Sequence, residues 1–338
     1  MYIFMRLMHI SFKKILILLV IFSLSISSYG CYSLRRGVLY TVYPIEFMID
    51  YIGGTSVEKA SIQDNTVVQC AKAKEDLDKL LDTHSTFFHI GSLEPYYELT
   101  KDKIKNSQIK DVDLSQMNTI YKFKRYTKVI NEEGISYLEE PYYKEEVFES
   151  IDTNQSDLYL WMDPIVMISM SKIIYEELLS LYPADSIRLK ENLDTLEEEL
   201  INLDASYQTL ASSLVNNNEE IKFVCMTPSF GSWQKAYGFG VYPIVLSKYG
   251  VLPTDEQKAL IKSRILQDGV QYIVYEPNMT NDMIQLFYEF EEELSLKRVE
   301  LSNLSNLTET EFNGGKDYLS IMYENLQVLE TMRTERGQ

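Results

Sequence analysis

The sequence predicts an α/β protein of two lobes, each a parallel sheet flanked by helices, joined by one long linking helix. Three observations predict this fold. Strand-like and helix-like segments alternate over 38–90, they alternate again over 221–294, and a long helical pattern at 184–215 separates the two series. Strands and helices that take turns along a chain are typical of parallel sheets. A length of 338 residues with 45% hydrophobic content is enough for one or two such domains.

The first series starts with a run of β-branched and aromatic residues at 38–43, which predicts a strand. A helix is predicted at 44–52, because Pro44 suits a first helical turn and two glycines follow the last apolar residue. The alternation continues with a strand at 57–61, a helix at 74–81 and a strand at 85–90. Between 127 and 154 it gives way to an acidic, tyrosine-bearing segment, which we interpret as an exposed excursion.

Apolar residues at helical spacing predict a helix at 164–181, with Asp163 as its N-cap. The linking helix comes next, and its apolar seam consists of leucines three and four residues apart: Leu189, Leu193, Leu196, Leu200 and Leu203. The second series predicts strands at 221–226, 241–246 and 272–275, and helices at 230–237, 254–266, 282–294 and 317–332. The predicted domains are therefore an N-terminal lobe at 38–183, the linking helix at 184–216 and a C-terminal lobe at 217–338.

The first 30 residues have the pattern of a signal peptide. Arg6, Lys13 and Lys14 precede an apolar run at 15–26 that is too short to span a bilayer, and 27–31 resembles a lipoprotein cleavage box. This predicts a signal peptide at 1–30, a lipid on the Cys31 thiol and a lipidated tether at 31–37. Two acyl chains on one thiol are enough for stable attachment, so we expect the protein on the outer face of the cytoplasmic membrane. An uncleaved anchor or an ordinary signal peptide is the alternative.

Charge and motif content exclude two classes of function. The formal net charge is −18, and residues 1–30 hold three basic residues and no acid, so the rest of the chain carries −21. This balance excludes nucleic acid as a partner. The chain has neither a phosphate-binding glycine loop nor a nucleophile elbow, so we do not expect an enzyme. Only His84 and His89 follow residue 30, and we interpret both as parts of the scaffold.

Several short motifs occur in a characteristic order along both series. They are Thr41-Val42-Tyr43-Pro44, Gly91-Ser92-Leu93-Glu94-Pro95, Leu160-Trp161-Met162-Asp163-Pro164, Tyr275-Glu276-Pro277 and Gly314-Gly315-Lys316-Asp317-Tyr318. Together they resemble the zinc- and manganese-binding solute-binding lipoproteins of bacterial ABC importers, also known as lipoprotein adhesins. The resemblance implies a monomer that captures a metal ion between its lobes and delivers it to a membrane permease. It also implies a site of three histidines and one carboxylate, a set suited to zinc or manganese.

The sequence departs from that ligand set. The three histidine positions of the family fall at Val68, Tyr159 and Thr227, and only Glu276 keeps a ligand. A rebuilt site is one hypothesis, in which Cys70 and Cys225, each two residues from a lost histidine, join Glu276, Tyr159 and Thr227 around zinc or manganese. A disulfide between the two cysteines is another. The third is a degenerate member that binds no metal and acts as an organic-solute receptor or as a surface adhesin.

Overall fold

The structure, a computed structural model, describes residues 37–64, 67–116, 127–131, 134–138, 142–153 and 157–335. All of them belong to one compact unit, Gly37–Gln338. The predicted signal peptide, Cys31 and most of the predicted tether lie outside the described residues. Within the described part of the chain, no helix is both long enough and apolar enough to cross a membrane.

The first lobe is built on a parallel sheet of four strands in the order β2-β1-β3-β4. In chain order its elements are β1 Val38–Tyr40, α1 Tyr43–Gly53, β2 Lys59–Ser61, α2 Leu77–Thr83, β3 Thr86–His89, α3 Tyr97–Asn106 and β4 Lys110–Asp113. An antiparallel hairpin follows, formed by β5 Thr127–Asn131 and β6 Gly134–Leu138.

Two long helices follow the hairpin, and the second of them links the lobes. They are α4 Pro164–Leu181 and α5 Ser186–Asn217. Asp163 caps α4 as predicted, because its carboxylate accepts hydrogen bonds from the backbone N–H groups of Ile165 and Val166. The left-handed conformation of Asn218 (φ 56°) ends α5.

The second lobe repeats the design with a parallel sheet in the order β11-β10-β8-β9. The antiparallel pair of β7 and β12 accompanies this sheet. The elements are β7 Glu219–Glu220, β8 Lys222–Cys225, α6 Gly231–Tyr237, β9 Gly240–Pro243, α7 Asp255–Gln267, β10 Tyr272–Tyr275, α8 Asn281–Glu293, β11 Lys297–Glu300, α9 Glu309–Asn313, α10 Tyr318–Glu330 and β12 Thr334–Glu335.

The linking helix α5 unites the core. All five predicted seam leucines are buried, and the seam continues through Tyr207, Leu210 and Leu214. This seam packs against α1 and α4 on one side and against α6 and α10 on the other, within one hydrophobic cluster shared by both lobes. The predicted two-lobed α/β fold is confirmed, while the assignment of residue ranges to separate domains stays a prediction.

Two expectations need correction. Residues 142–153 are not an exposed excursion, since Tyr143 and Phe148 are buried in the hydrophobic cluster of the second lobe. Short groups of charged and apolar residues follow one another in this segment. The charged side chains are exposed, while the apolar ones pack against the second lobe. Cys70 and Cys225 are both free thiols, so the disulfide hypothesis is wrong for this structure.

Candidate inter-lobe site

Glu276 lies at the carboxyl edge of the second sheet. It follows the last residue of β10, while Met226 and Thr227 follow the end of β8 and Asn303 follows the end of β11. Because these strands are parallel and adjacent, their carboxyl ends meet at one edge, which is where open α/β sheets bind ligands.

The two carboxylate oxygens of Glu276 have different partners. Oε1 accepts hydrogen bonds from the backbone N–H groups of Met226 (2.7 Å) and Thr227 (2.9 Å). Oε2 accepts from the Thr227 hydroxyl (2.6 Å), the Asn303 amide (2.8 Å) and the Ser229 hydroxyl (3.3 Å). The main chain therefore fixes Oε1, whereas every partner of Oε2 is a side chain that can rotate.

Burial sets the electrostatics of this carboxylate. The side chain is fully buried, and burial raises the pKa of Glu276 above its ordinary value. The hydrogen bonds from Thr227, Asn303 and Met226 oppose that rise, because they stabilise the charged form. In the described part of the chain, the groups that hydrogen-bond to this carboxylate are all neutral, so a cation bound there would supply the missing positive charge.

Asn303 is held as a donor toward Glu276. Its carbonyl oxygen Oδ1 accepts from the backbone N–H (3.1 Å) and the hydroxyl (2.8 Å) of Ser305, which leaves Nδ2 facing the carboxylate. Its backbone carbonyl accepts a hydrogen bond of 2.8 Å from the indole of Trp161, which belongs to the first lobe. Glu276 is thus connected to the first lobe through one intermediate residue.

Two hydrogen bonds from the second lobe hold the loop that carries Tyr159 and Trp161. The indole of Trp233 donates to the carbonyl of Met162 (2.8 Å), and the hydroxyl of Tyr318 donates to the carbonyl of Trp161 (2.6 Å). Tyr159 is buried with its ring 5.3 Å from that of Trp161. These aromatic residues therefore form the packed contact between the lobes.

The predicted site residues are brought together only in part. Thr227 bonds Glu276 directly, and the Cys225 thiol lies beside it, donating to the carbonyl of Thr227 at 3.0 Å. Burial, with a further contribution from Glu276, raises the pKa of Cys225 well above its ordinary value, so the sulfur is a protonated thiol. Val68, at the first histidine position, is buried in the cluster that also contains Tyr159.

Cys70 lies at a different contact between the lobes. It is half-buried, and a Cβ atom added to Gly250 would come within 2.9 Å of its sulfur. Its neighbour Gln69 donates to the carbonyl of Val245 in the second lobe (3.3 Å). Among the described residues, no group of three or more His, Cys, Asp and Glu side chains is placed to hold a metal ion. Cys70, Cys225 and Glu276 therefore do not form an assembled metal centre in this conformation.

Asn303 and Ser229 donate hydrogen bonds to Glu276, although the sequence did not indicate either residue. Both follow strand ends, but β11 is a polar edge strand whose end is difficult to predict, and Ser229 lies in a short 3₁₀ turn. The two scaffold histidines match their prediction: His84 and His89 are buried and bonded to the carbonyls of Leu80 and Gly91.

The fold is that of two-lobed solute-binding proteins, with two parallel sheets joined by one linking helix. Its buried carboxylate lies at a strand end, where such proteins bind their solutes. The chain belongs to the family described as zinc-uptake complex component A, periplasmic (ZnuA), whose match covers residues 38–332. The resemblance predicted from the sequence motifs is thereby confirmed. This is a transport family and not a family of enzymes.

Curated relatives match the chain over different lengths. The chain is 28% identical over 177 residues to the zinc-binding protein AdcA of Streptococcus pyogenes, covering 51% of this chain and 32% of that one. It thus spans about a third of the length of these relatives. It is 24% identical over 278 residues to the high-affinity zinc uptake system protein ZnuA of Bacillus subtilis, covering 78% and 82% of the two chains.

Two solved structures show the same fold. The periplasmic zinc-binding protein TroA of Treponema pallidum superposes with a TM-score of 0.67 at 16% identity, over 88% of this chain and 99% of that one. The laminin-binding protein Lmb of Streptococcus agalactiae, described as a bifunctional protein with adhesin and metal-transporting activity, superposes with the same TM-score at 17% identity and the same coverage.

Proposed function

We propose that the protein is the extracytoplasmic solute-binding protein of a metal-type ABC importer. It captures an ion of the zinc or manganese class between its lobes, as a monomer and without catalysis, and delivers it to a membrane permease. A lipid on Cys31 holds it at the outer face of the cytoplasmic membrane. The observation that supports capture is Glu276, a fully buried carboxylate whose hydrogen-bond partners among the described residues are all neutral, at the edge where the lobes meet.

The ligands that we propose are Glu276 with Thr227, Cys225, Tyr159 and Cys70. The exchangeable atom is Oε2 of Glu276, because a cation can replace side-chain donors there while the backbone keeps Oε1 in place. The remaining ligands must converge, so capture requires a change in the relation of the lobes, which is the usual motion of this class of receptor. Since a thiol must lose its proton to bind a metal, we expect weaker zinc binding than a three-histidine site gives.

The first prediction concerns binding. The reduced, metal-stripped protein should show a higher thermal midpoint in excess zinc or manganese, because a ligand that binds only the folded state stabilises it. Glu276→Ala should abolish the shift, and Cys225→Ser should reduce it. Each variant is compared with its own metal-free midpoint, since Glu276→Ala also removes a buried hydrogen-bonding group.

Glu324→Ala is the matched control, because this exposed glutamate pairs only with Lys316 among the interactions described for it and lies away from the strand ends. It should respond to metal as the unmodified protein does. A midpoint that neither ion changes, or a shift that survives in Glu276→Ala, would overturn the proposed site.

A further inference from the structure

Each lobe holds a fully buried glutamate at the carboxyl edge of its sheet. Counted from its other edge, the second sheet has the strand order β9-β8-β10-β11, which corresponds to β2-β1-β3-β4 in the first. Glu94 comes after β3 and Glu276 after the corresponding strand β10, and a proline follows each of them. Each also lies beside a threonine, Thr41 after β1 and Thr227 after β8. Glu94 is therefore the first-lobe counterpart of the proposed ligand Glu276.

The two carboxyl groups differ in their hydrogen bonds. Glu276 accepts five, and these stabilise a charged carboxylate in the interior. Among the described residues, no group donates to either oxygen of Glu94 in good geometry, and the hydroxyl oxygen of Thr41 also lacks a partner. An unpaired charge in the interior is costly, so such a group takes up a proton instead. The geometry around Glu94 therefore favours the neutral, protonated carboxyl.

The titratable groups that act on Glu94 in the described part of the chain all have other partners. On β3, the ring nitrogens of His89 lie 3.0 Å from the Asp111 carboxylate and 2.8 Å from a backbone carbonyl. At the end of β4, Asp113 accepts hydrogen bonds from two backbone N–H groups (2.8 and 2.9 Å). The Tyr96 hydroxyl donates to a side-chain amide at 2.7 Å. Burial therefore dominates and raises the pKa of Glu94, although Thr41 and His89 oppose the rise.

Glu94 is connected to the inter-lobe site through the residues that follow β1. Two residues after Thr41, the backbone N–H of Tyr43 donates to the carbonyl of Ser305 in the second lobe (3.1 Å). The Ser305 hydroxyl donates to Asn303 (2.8 Å), which in turn donates to the carboxylate of the second lobe. The two glutamates thus belong to one continuous contact between the lobes. Charges interact strongly there, because little water screens a buried region.

We propose that Glu94 is a proton-exchange site coupled to metal capture. Its carboxyl group holds a proton while no cation is bound. When a divalent cation binds between the lobes, the O–H bond breaks, the proton passes to the solvent and the cation compensates the charge of the carboxylate that remains. This inference rests on the proposed function, because it presumes a cation at Glu276. It assigns part of the pH dependence of capture to a residue that does not touch the ion.

The number of protons released on binding tests the coupling. The reduced, metal-stripped protein is titrated with zinc or manganese in weakly buffered solution at about pH 6.5, and a pH indicator measures the protons released per ion bound. Glu94→Gln keeps the shape of the neutral carboxyl and should release roughly one proton fewer per ion. Glu98→Gln is the control, because Glu98 is exposed on α3 and pairs with Lys101. It should release as many protons as the unmodified protein.

The pH dependence of affinity gives an independent measure. The unmodified protein should bind either ion more tightly as pH rises from about 6 to 8, because the deprotonated Glu94 attracts the cation. Glu94→Gln should bind about tenfold more weakly at pH 8 and equally well at about pH 5.5. Thr41→Val removes a hydroxyl that stabilises the charged form of Glu94, so it should shift the rise in affinity to higher pH.

The outcomes separate the two hypotheses. If the unmodified protein binds neither ion at any pH, the proposed function is wrong, and the proton exchange is wrong with it. If an ion binds but Glu94→Gln releases as many protons and keeps the same pH dependence, only the proton exchange is wrong. Loss of binding in Glu94→Gln at every pH would also overturn it, since the protonated form should be unaffected by this change. A cooperative metal-free thermal transition establishes that each variant is folded.

Discussion

Glu94 is a second buried carboxylate, at the carboxyl edge of the first sheet. It is fully buried, and neither of its oxygens has a hydrogen-bond partner in good geometry among the described residues. Burial raises the pKa of Glu94 to about 7, and Asp113 contributes to the rise. The neighbouring Thr41 hydroxyl, its own backbone and His89 oppose the rise without cancelling it. Glu94 therefore binds its proton more tightly in the folded protein than in the unfolded chain.

This difference predicts a pH-dependent stability. Between about pH 4.5 and 7 the folded state holds more protons than the unfolded state at this site, so the free energy of unfolding falls as pH rises through that window. Glu94→Gln removes the ionisation and should be more stable than the unmodified protein at pH 8 by about 3 kcal/mol, with the gain shrinking toward pH 5. Urea unfolding at several pH values measures the difference.

Glu75→Gln serves as the control for this series, because Glu75 is exposed. Its stability should follow that of the unmodified protein at every pH. Parallel pH profiles for Glu94→Gln and the unmodified protein would show that Glu94 does not titrate in this range.

At the residue scale, the sequence indicates Glu276 and its neighbours Thr227 and Cys225, but not Ser229 or Asn303, which donate hydrogen bonds to Glu276. Glu276 is selected because it falls at the carboxylate position of the family, within the motif Tyr275-Glu276-Pro277. Its five hydrogen-bond donors depend on the register of three adjacent strands and on the rotamer of Asn303, and none of these is encoded locally. The distance between Cys70 and Cys225 in sequence likewise gave no measure of whether the thiols meet.

At the scale of elements, apolar periodicity found the buried elements and missed the exposed ones. The seam of α5 was predicted leucine by leucine, because burial on one side imposes the period. Strand β11 has the sequence Lys-Arg-Val-Glu and lies at the edge of its sheet, where one neighbour suffices and no apolar run is needed. Helix α3 buries only Ile104 and was missed for the same reason.

The seam of α5 offers a matched pair of substitutions. Leu200 is fully buried, whereas the next residue, Ile201, is 53% exposed. Leu200→Ala should reduce the free energy of unfolding by about 2–5 kcal/mol, because it removes core packing shared by both lobes and leaves a cavity. Ile201→Ala should change it by about 0.5 kcal/mol or less. Equal losses in urea unfolding would contradict the predicted orientation of the helix.

At the scale of the whole molecule, the order of strands and helices predicts the two-lobed fold. It does not predict the contacts between the two lobes. Strands that alternate with helices along the chain form parallel sheets, because each helix is the crossover connection between two parallel strands. The contacts between the lobes include single hydrogen bonds from Trp161, Trp233 and Gln69 to carbonyls of the opposite lobe. Such contacts join residues far apart in sequence, so no local pattern predicts them.

Attachment of the whole molecule to the membrane gives the last prediction. If Cys31 carries a diacylglyceryl group, Cys31→Ser should move the protein from the membrane fraction to the medium, because two acyl chains supply the stable anchoring. Cys70→Ser and Cys225→Ser are the controls, since both thiols belong to the folded unit and should leave fractionation unchanged. Immunoblotting of membrane and soluble fractions measures the distribution. Retention of Cys31→Ser in the membrane, at the size of the unprocessed chain, would instead establish that the apolar run at 15–26 remains as an uncleaved anchor.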